Sequence, residues 1–458
     1  MRGMTIQALS TKEKNYKILD NLMVGIRMEE NPYSLTIDSI FSMAARNNPK
    51  RSFLFVSKLI GKHIPVLPNV PLITGFLLAS RLAELWGLSV GKETIRHAVA
   101  SLSAGVNNEF HPPSYSFPGK ALFIGFAETA TALGHAVFSS CTGNINFLHT
   151  TRENLEGNHD TIYFTEDHCH APDQRCLICQ GSIMKDNDLL VLVDDEITTG
   201  NTCLNIIETL QQKYPQKRYV ILTILDWRSD EAMAKYRQVE GVLGVKIDVL
   251  SLLKGRFWYQ GEAPVIPQSP IAPEEGMPCV RSLYKEMGFQ VATVLPDGSK
   301  VSYLGYTGRF GVGVKETKQA LLRAKEIGYE LLQVRKGKKT LCLGTGEFMY
   351  IPCLIAKYMG EGIMVQSTTR SPVHPYLGTD YAVKYAINFE DPHNPDVKNY
   401  IYNIPPNYYD EVFVFWERKV VPEQVKPFVQ ALHKLGIENI VFVYFTDGAG
   451  GVSNRTNC

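Results

Sequence analysis

Asp194 and Asp195 stand side by side, and Thr198, Thr199, Gly200, Asn201 and Thr202 follow after two intervening residues. The threonine hydroxyls are hydrogen-bond donors. A glycine lets the backbone come close to an anion. If a helix begins here, its unpaired N–H groups and positive dipole end suit a phosphate. Two carboxylates would repel that phosphate, so they need another partner. Sugar hydroxyls, each able to donate to a carboxylate oxygen, are that partner. Ribose 5-phosphate meets both demands, with a diol at one end and a phosphate at the other.

The flanking residues predict the elements that position this set. Leu189 to Val193 form an unbroken aliphatic run, as in a strand buried on both faces of a parallel sheet. Leu204, Ile207 and Leu210 recur at helical spacing after the loop. The carboxylates then sit at the carboxyl edge of a sheet, where open α/β folds bind ligands.

Other clusters fall at similar places. Phe53 to Val66 reads as a strand leading into a loop with Lys58, Gly61, Lys62 and His63. Cations and free amides on such a loop suit a pyrophosphate, although a solvated basic turn has the same composition. Lys120 to Phe138 reads as strand, loop and helix, with Glu128 and Thr129 at the turn. Glu128 is placed to recognise an amine or hydroxyl of an acceptor, or to serve as a favourable charge at a helix start. Arg152, after an apolar segment, suits a phosphate or a carboxylate, and equally an exposed surface. Trp227 leaves another buried strand and is either a stacking platform for an acceptor or core. His168 and His170 lie near Cys176 and Cys179; zinc is an alternative there, without any standard finger spacing.

The chain has 458 residues, more than one domain usually needs. A breaker-rich tract at 263–281 divides it into a first domain, 30–262, and a second, 282–458. The second again alternates strands and helices. It carries a Gly344-x-Gly346 turn without the third glycine of a dinucleotide loop, and Arg370 flanked by Thr369 and Ser371, a set suited to an anion. Lys plus Arg number 47 against 46 Asp plus Glu, a net charge of +1. That balance argues against bulk electrostatic binding to nucleic acid or an acidic membrane. No apolar stretch is long enough to span a bilayer, and the start of the chain lacks a secretory core. Nine scattered cysteines read as reduced thiols. A cytoplasmic enzyme is the expectation.

The stretch from Leu189 to Thr202 resembles the ribose-phosphate motif of type I phosphoribosyltransferases: a hydrophobic strand, two acids, two variable residues, Thr-Thr-Gly, a variable residue and Thr. The sequence Thr369-Arg370-Ser371-Pro372, with LGTGEFMYIP and YTGRFGV, resembles the TRSP domain that follows such an enzyme in a bacterial family associated with tellurium-resistance gene clusters. The resemblance implies a type I fold, a parallel sheet flanked by helices with a hood loop, followed by a second α/β domain. It implies phosphoribosyl pyrophosphate and a small-molecule acceptor as partners, magnesium as cofactor, and a homodimer as the candidate assembly. Asp194 and Asp195 would hold the diol, directly or through the ion, and take part in catalysis with Lys58. Thr198 to Thr202 would hold the 5-phosphate, and Lys58, Gly61, Lys62 and His63 the pyrophosphate. Glu166, His168 and His170 would lie on the hood, where Cys169 stands in place of an expected serine. The activity implied is phosphoribosyl transfer to a nitrogenous or other nucleophile in the making of a nucleotide-like metabolite. A binding-only sensor is the alternative. A kinase making phosphoribosyl pyrophosphate is less favoured, because no Walker A sequence is present.

Overall fold

The structure, a computed structural model, describes residues 13–46, 51–103, 110–157, 159–164, 174–262, 278–447 and 455–457. Among these, the larger sheet has eight strands, in the order Glu13–Leu19, Leu22–Glu30, Lys246–Gly261, Arg218–Asp226, Leu189–Ile197, Tyr115–Gly125, Cys141–His149 and Val312–Gly313. The five from Lys246–Gly261 to Cys141–His149 run parallel. The outer strands are antiparallel to their neighbours. Leu189–Ile197 is the middle strand of the parallel set, and its first five residues are buried. The aliphatic run follows from that position, since side chains on both faces meet helices or core.

Helix Asn69–Leu85 covers the sheet with helix Ala130–Ser139. The two approach so closely that a Cβ on Gly75 would lie 2.5 Å from the Ala136 carbonyl carbon. On the carboxyl side of the middle strand, helix Asn201–Lys213 buries Leu204, Ile207 and Leu210, the residues whose spacing predicts it.

The second module has a five-stranded parallel sheet in the order Cys279–Tyr284, Asn439–Thr446, Glu411–Arg418, Thr340–Gly344 and Ile363–Ser367. Helices Val314–Val334, Tyr350–Ala356 and Pro422–His433 accompany it. Alternating strand and helix produce this layering because each element buries one apolar face on the sheet.

The modules are joined by more than the chain between them. Val312–Gly313 pairs with Cys141–His149 and so extends the first sheet. Val66 and Val365 exchange backbone hydrogen bonds of 3.0 and 2.7 Å, and Ser367 N–H donates to the Gly61 carbonyl at 2.8 Å. The Tyr381 hydroxyl accepts from Ala45 N–H and donates to the His374 carbonyl, both at 2.7 Å. One apolar core contains Phe41, Leu77 and Val193 together with Ile351, Met359 and Val365. This contact brings the Thr369–Pro372 segment to the carboxyl edge of the first sheet, above the paired acids.

Candidate functional site

A cavity of about 480 Å³ opens at that edge. Asp194, Asp195, Thr198 and Thr202 form one side of its lining. Lys62 and His63, from the loop after strand Phe53–Ser57, line it as well. Glu128, Thr129 and Arg152 contribute from the neighbouring strand ends, and Arg370 and Ser371 from the second module. The clusters singled out in sequence therefore converge on one space, with exceptions described below.

The acidic pair is held in tension. Asp195 N–H donates to Asp194 Oδ1 at 2.9 Å, and among the described residues neither carboxylate has a salt-bridge partner. Desolvation, followed by repulsion from Asp195, holds the Asp194 carboxyl well above the usual carboxylate range. Asp195 is also raised, chiefly by desolvation, while the Lys62 charge pulls it back. A bound cation or a set of hydroxyl donors would relieve this tension.

Beside the acids, the chain turns from strand to helix through Gly200, whose φ is +72°. The Tyr236 hydroxyl donates to the Gly200 carbonyl at 2.9 Å and occupies the space a side chain would need. Gly200 is the N-cap of helix Asn201–Lys213. Thr198 and Thr202 line the cavity on either side of this turn, and the first N–H groups of a helix have no partner within it. Thr199 is exposed, and its hydroxyl receives a 3.4 Å contact from Asn201 N–H. Asn201 Oδ1 accepts from Lys235, which adds a positive charge near the turn.

The loop after Phe53–Ser57 divides its lysines. Lys58 does not line the cavity; its ammonium donates to the Asp38 carbonyl at 2.8 Å. Gly61, at φ +68°, packs under Val66 and Val365 and turns the chain. Lys62 then enters the cavity, buried, with its ammonium donating to the Thr129 hydroxyl. His63 follows, also buried. Desolvation, and then the Lys62 charge, hold its imidazole well below its usual range, so it is neutral. Of the two lysines of this loop, Lys62 is the one that lines the cavity with the acids.

Glu128 is 8% exposed; its Oε2 accepts from Arg370 N–H at 3.3 Å, and its Oε1 has no partner among the described residues. Arg152 lines the cavity, with its backbone N–H held by Glu347 at 2.7 Å. Trp227 does not face the cavity. It stacks on Phe55 at 4.7 Å with its ring buried in core, and the expectation that it contacts an acceptor is corrected accordingly. Phe55 and Phe126 are the aromatic residues of the lining. Neither they nor Glu196, which lines the cavity and pairs with Arg51 at 2.5 Å, stood out in sequence. An aromatic in a buried strand gives no signal of which face it covers.

In the second module, Gly344 packs against the Phe348 carbonyl, where a Cβ would come within 2.6 Å. Gly346 has φ +55° and donates its N–H to the Thr368 hydroxyl at 2.9 Å. Thr369 is buried, exchanges backbone hydrogen bonds with Tyr400, and accepts from Ser371 N–H. Of this set, Arg370 and Ser371 reach the first cavity. Glu166, His168 and His170 lie outside the described residues, in the interval between the paired strands Asp160–Phe164 and Gln174–Ile178. Cys176 is buried, and burial raises its thiol. Cys179 is disulfide-bonded, which departs from the expectation of reduced thiols throughout.

A family model described as phosphoribosyl transferase matches residues 40–256. The TRSP domain C-terminal to that transferase matches residues 306–432. No curated protein matches the chain. Among solved structures, adenine phosphoribosyl transferase from Trypanosoma brucei is 13% identical, over 50% of this chain and 82% of that one, with a TM-score of 0.30. The enzyme from Leishmania tarentolae is 15% identical, over 48% and 87%, with a TM-score of 0.29. The enzyme from Saccharomyces cerevisiae is 17% identical, over 29% and 67%, with a TM-score of 0.21.

Gly200→Ala tests the turn. The new Cβ would meet the Tyr236 hydroxyl at 2.2 Å on a backbone at φ +72°. Thermal unfolding should show a loss of about 2 kcal/mol, and calorimetry should show weakened binding of ribose 5-phosphate. Unchanged stability and affinity would mean that the turn is neither strained by a side chain nor used for the phosphate.

Proposed function

Because the chain belongs to the family that joins a phosphoribosyl transferase domain to a C-terminal TRSP domain, we propose that it moves the 5-phosphoribosyl group of phosphoribosyl pyrophosphate to a nitrogenous acceptor, releasing pyrophosphate. The observation that carries this reading is one cavity lined together by the acidic pair, by Thr198 and Thr202 of the following turn, and by Lys62. A sugar diol at Asp194 and Asp195 and a 5-phosphate at Thr198 to Thr202 orient the anomeric carbon toward the open volume. Holding the reacting atoms in register is itself a large share of such catalysis.

In the reaction, the bond from the anomeric carbon to pyrophosphate breaks, and its electron pair leaves on the pyrophosphate oxygen. The acceptor's lone pair forms the new bond. Lys62 and the backbone amides of its loop meet the charge that develops on the leaving group. The acceptor's proton passes to Asp195, whose raised affinity for a proton suits that role. Glu128, with one unpartnered oxygen at the cavity wall, is placed to orient the acceptor.

The acidic pair fits magnesium. It offers two adjacent oxygen ligands without internal ion pairs, and magnesium takes few protein ligands, completing its shell with water and phosphates. Among the described residues no cluster of three or more metal-ligating side chains exists, so the remaining ligands would come from substrate and solvent. When bound, the ion supplies charge neutralisation at the pyrophosphate and the sugar hydroxyls. No helix of the described residues is long and apolar enough to cross a membrane. The proposed setting is the cytoplasm, in the making of a nucleotide-like metabolite.

Pyrophosphate release from phosphoribosyl pyrophosphate and magnesium, assayed across a panel of amines and bases, tests the reading. Asp194→Asn with Asp195→Asn should abolish release while far-ultraviolet circular dichroism stays unchanged; full activity in that variant would remove the pair from the reaction. In the same assay, Lys62→Ala should lower the rate by roughly a hundredfold, and Lys58→Ala by no more than about threefold. The opposite ranking would return the leaving-group role to Lys58. Saturable binding without release for every acceptor would favour a sensor.

A further inference from the structure

A second, smaller cavity of about 60 Å³ lies at the carboxyl edge of the second sheet, beyond the ends of strands Thr340–Gly344 and Glu411–Arg418. It shares Glu128, Arg152 and Arg370 with the first cavity, so the two adjoin through a common wall. We propose that this space seats the anionic end of the acceptor, an oxyanion of a carboxylate or phosphate ester, against Arg418. The inference rests on the phosphoribosyl-transfer reading and adds the class of acceptor to it.

Two arginines flank the Tyr303 ring, Arg309 at 4.5 Å and Arg418 at 4.7 Å from its centroid. Arg309 is paired through both terminal nitrogens: Glu417 meets it at 2.8 and 3.0 Å, and Glu347 at 3.3 Å. Two further acids of the lining, Asp391 and Glu153, are held by neutral donors. Asp391 accepts from Asn399 and from His393 N–H, both at 2.9 Å, and Glu153 accepts from the Tyr303 hydroxyl at 3.1 Å. Arg418 is only 7% exposed, yet among the described residues it has no carboxylate partner and no side-chain hydrogen bond. A buried guanidinium left unpaired is costly unless an anion arrives. Its planar fork suits a carboxylate or phosphate.

The shared wall gives the rest of the acceptor a direction. The unpartnered Glu128 Oε1 is buried in that wall, and the Arg370 side chain, likewise without a hydrogen-bond partner among the described residues, lines both cavities. An acceptor anchored at Arg418 would pass Arg370 and present its nucleophile beside Glu128, toward the phosphoribosyl cavity. The small volume fits one oxyanion group and not a whole acceptor.

Calorimetry on the full chain, first saturated with phosphoribosyl pyrophosphate and magnesium, tests this with inorganic phosphate and acetate as probes. One further anion site is expected, and the tighter probe distinguishes a phosphate ester from a carboxylate. Arg418→Gln should weaken that site at least tenfold and leave the affinity for phosphoribosyl pyrophosphate unchanged. With any acceptor that supports transfer, the tighter probe should raise the acceptor's KM and not that of phosphoribosyl pyrophosphate. Selenate soaked into crystals of the unsubstituted protein should give an anomalous peak within hydrogen-bond reach of Arg418, a result independent of how the variant folds. No binding beyond saturation, an Arg418→Gln site of unchanged strength, competition against phosphoribosyl pyrophosphate alone, or no peak at Arg418 would each overturn the proposal. Failure to bind phosphoribosyl pyrophosphate would instead sink the phosphoribosyl-transfer reading, and a selenate peak at Arg418 would then survive it as an anion site.

Discussion

Two neighbouring carboxylates in a partly dry cavity repel each other, and among the described residues Asp194 and Asp195 have no ion pair to quiet them. That constraint shapes the surroundings. The middle position of strand Leu189–Ile197 fixes the pair at the sheet edge, with hydrogen-bonded strands on both sides. The left-handed turn at Gly200 starts the next helix at once, so the positive helix end lies beside the acids. A ligand with hydroxyls at one end and a phosphate at the other resolves both fields together, and ordinary packing supplies no such partner.

The second module completes this site as well as following it in the chain. Glu347 accepts from the Thr151 hydroxyl at 2.6 Å and from Arg152 N–H, and also meets Arg309. Burial alone would raise Glu347, but Arg309 and the nearby His149, with these hydrogen bonds, hold it below its usual range. The ionised form is therefore the one that ties the strand end bearing Arg152 to the Gly344–Gly346 turn. The Arg370 backbone reaches Glu128 from the other side. The two sheets thus present their carboxyl edges to a common region, where ligands of open α/β sheets bind.

Much of the first module was legible because its signals are local. The aliphatic run, the acids, the threonines and Gly200 lie within one short stretch, and strand, turn and helix follow from it. The loop at 58–63 was legible as basic but not in its direction: the positive φ of Gly61 turns Lys62 inward, whereas Lys58 is held at the Asp38 carbonyl. Trp227 could be read from the sequence as either a binding aromatic or core, and the Phe55 ring stacked on it places it in the core. Arg370 and Glu128 are far apart in the chain, and Arg418 carries no motif. Their meeting depends on how two sheets dock, which no local spacing encodes.

The central claim is most directly tested by a crystal structure of the full chain with ribose 5-phosphate and magnesium. The account predicts the sugar hydroxyls on Asp194 and Asp195, directly or through the ion, with the phosphate against the N–H groups after Gly200 and the hydroxyls of Thr198 and Thr202. A phosphate seated elsewhere, with the acids left facing only solvent, would contradict it.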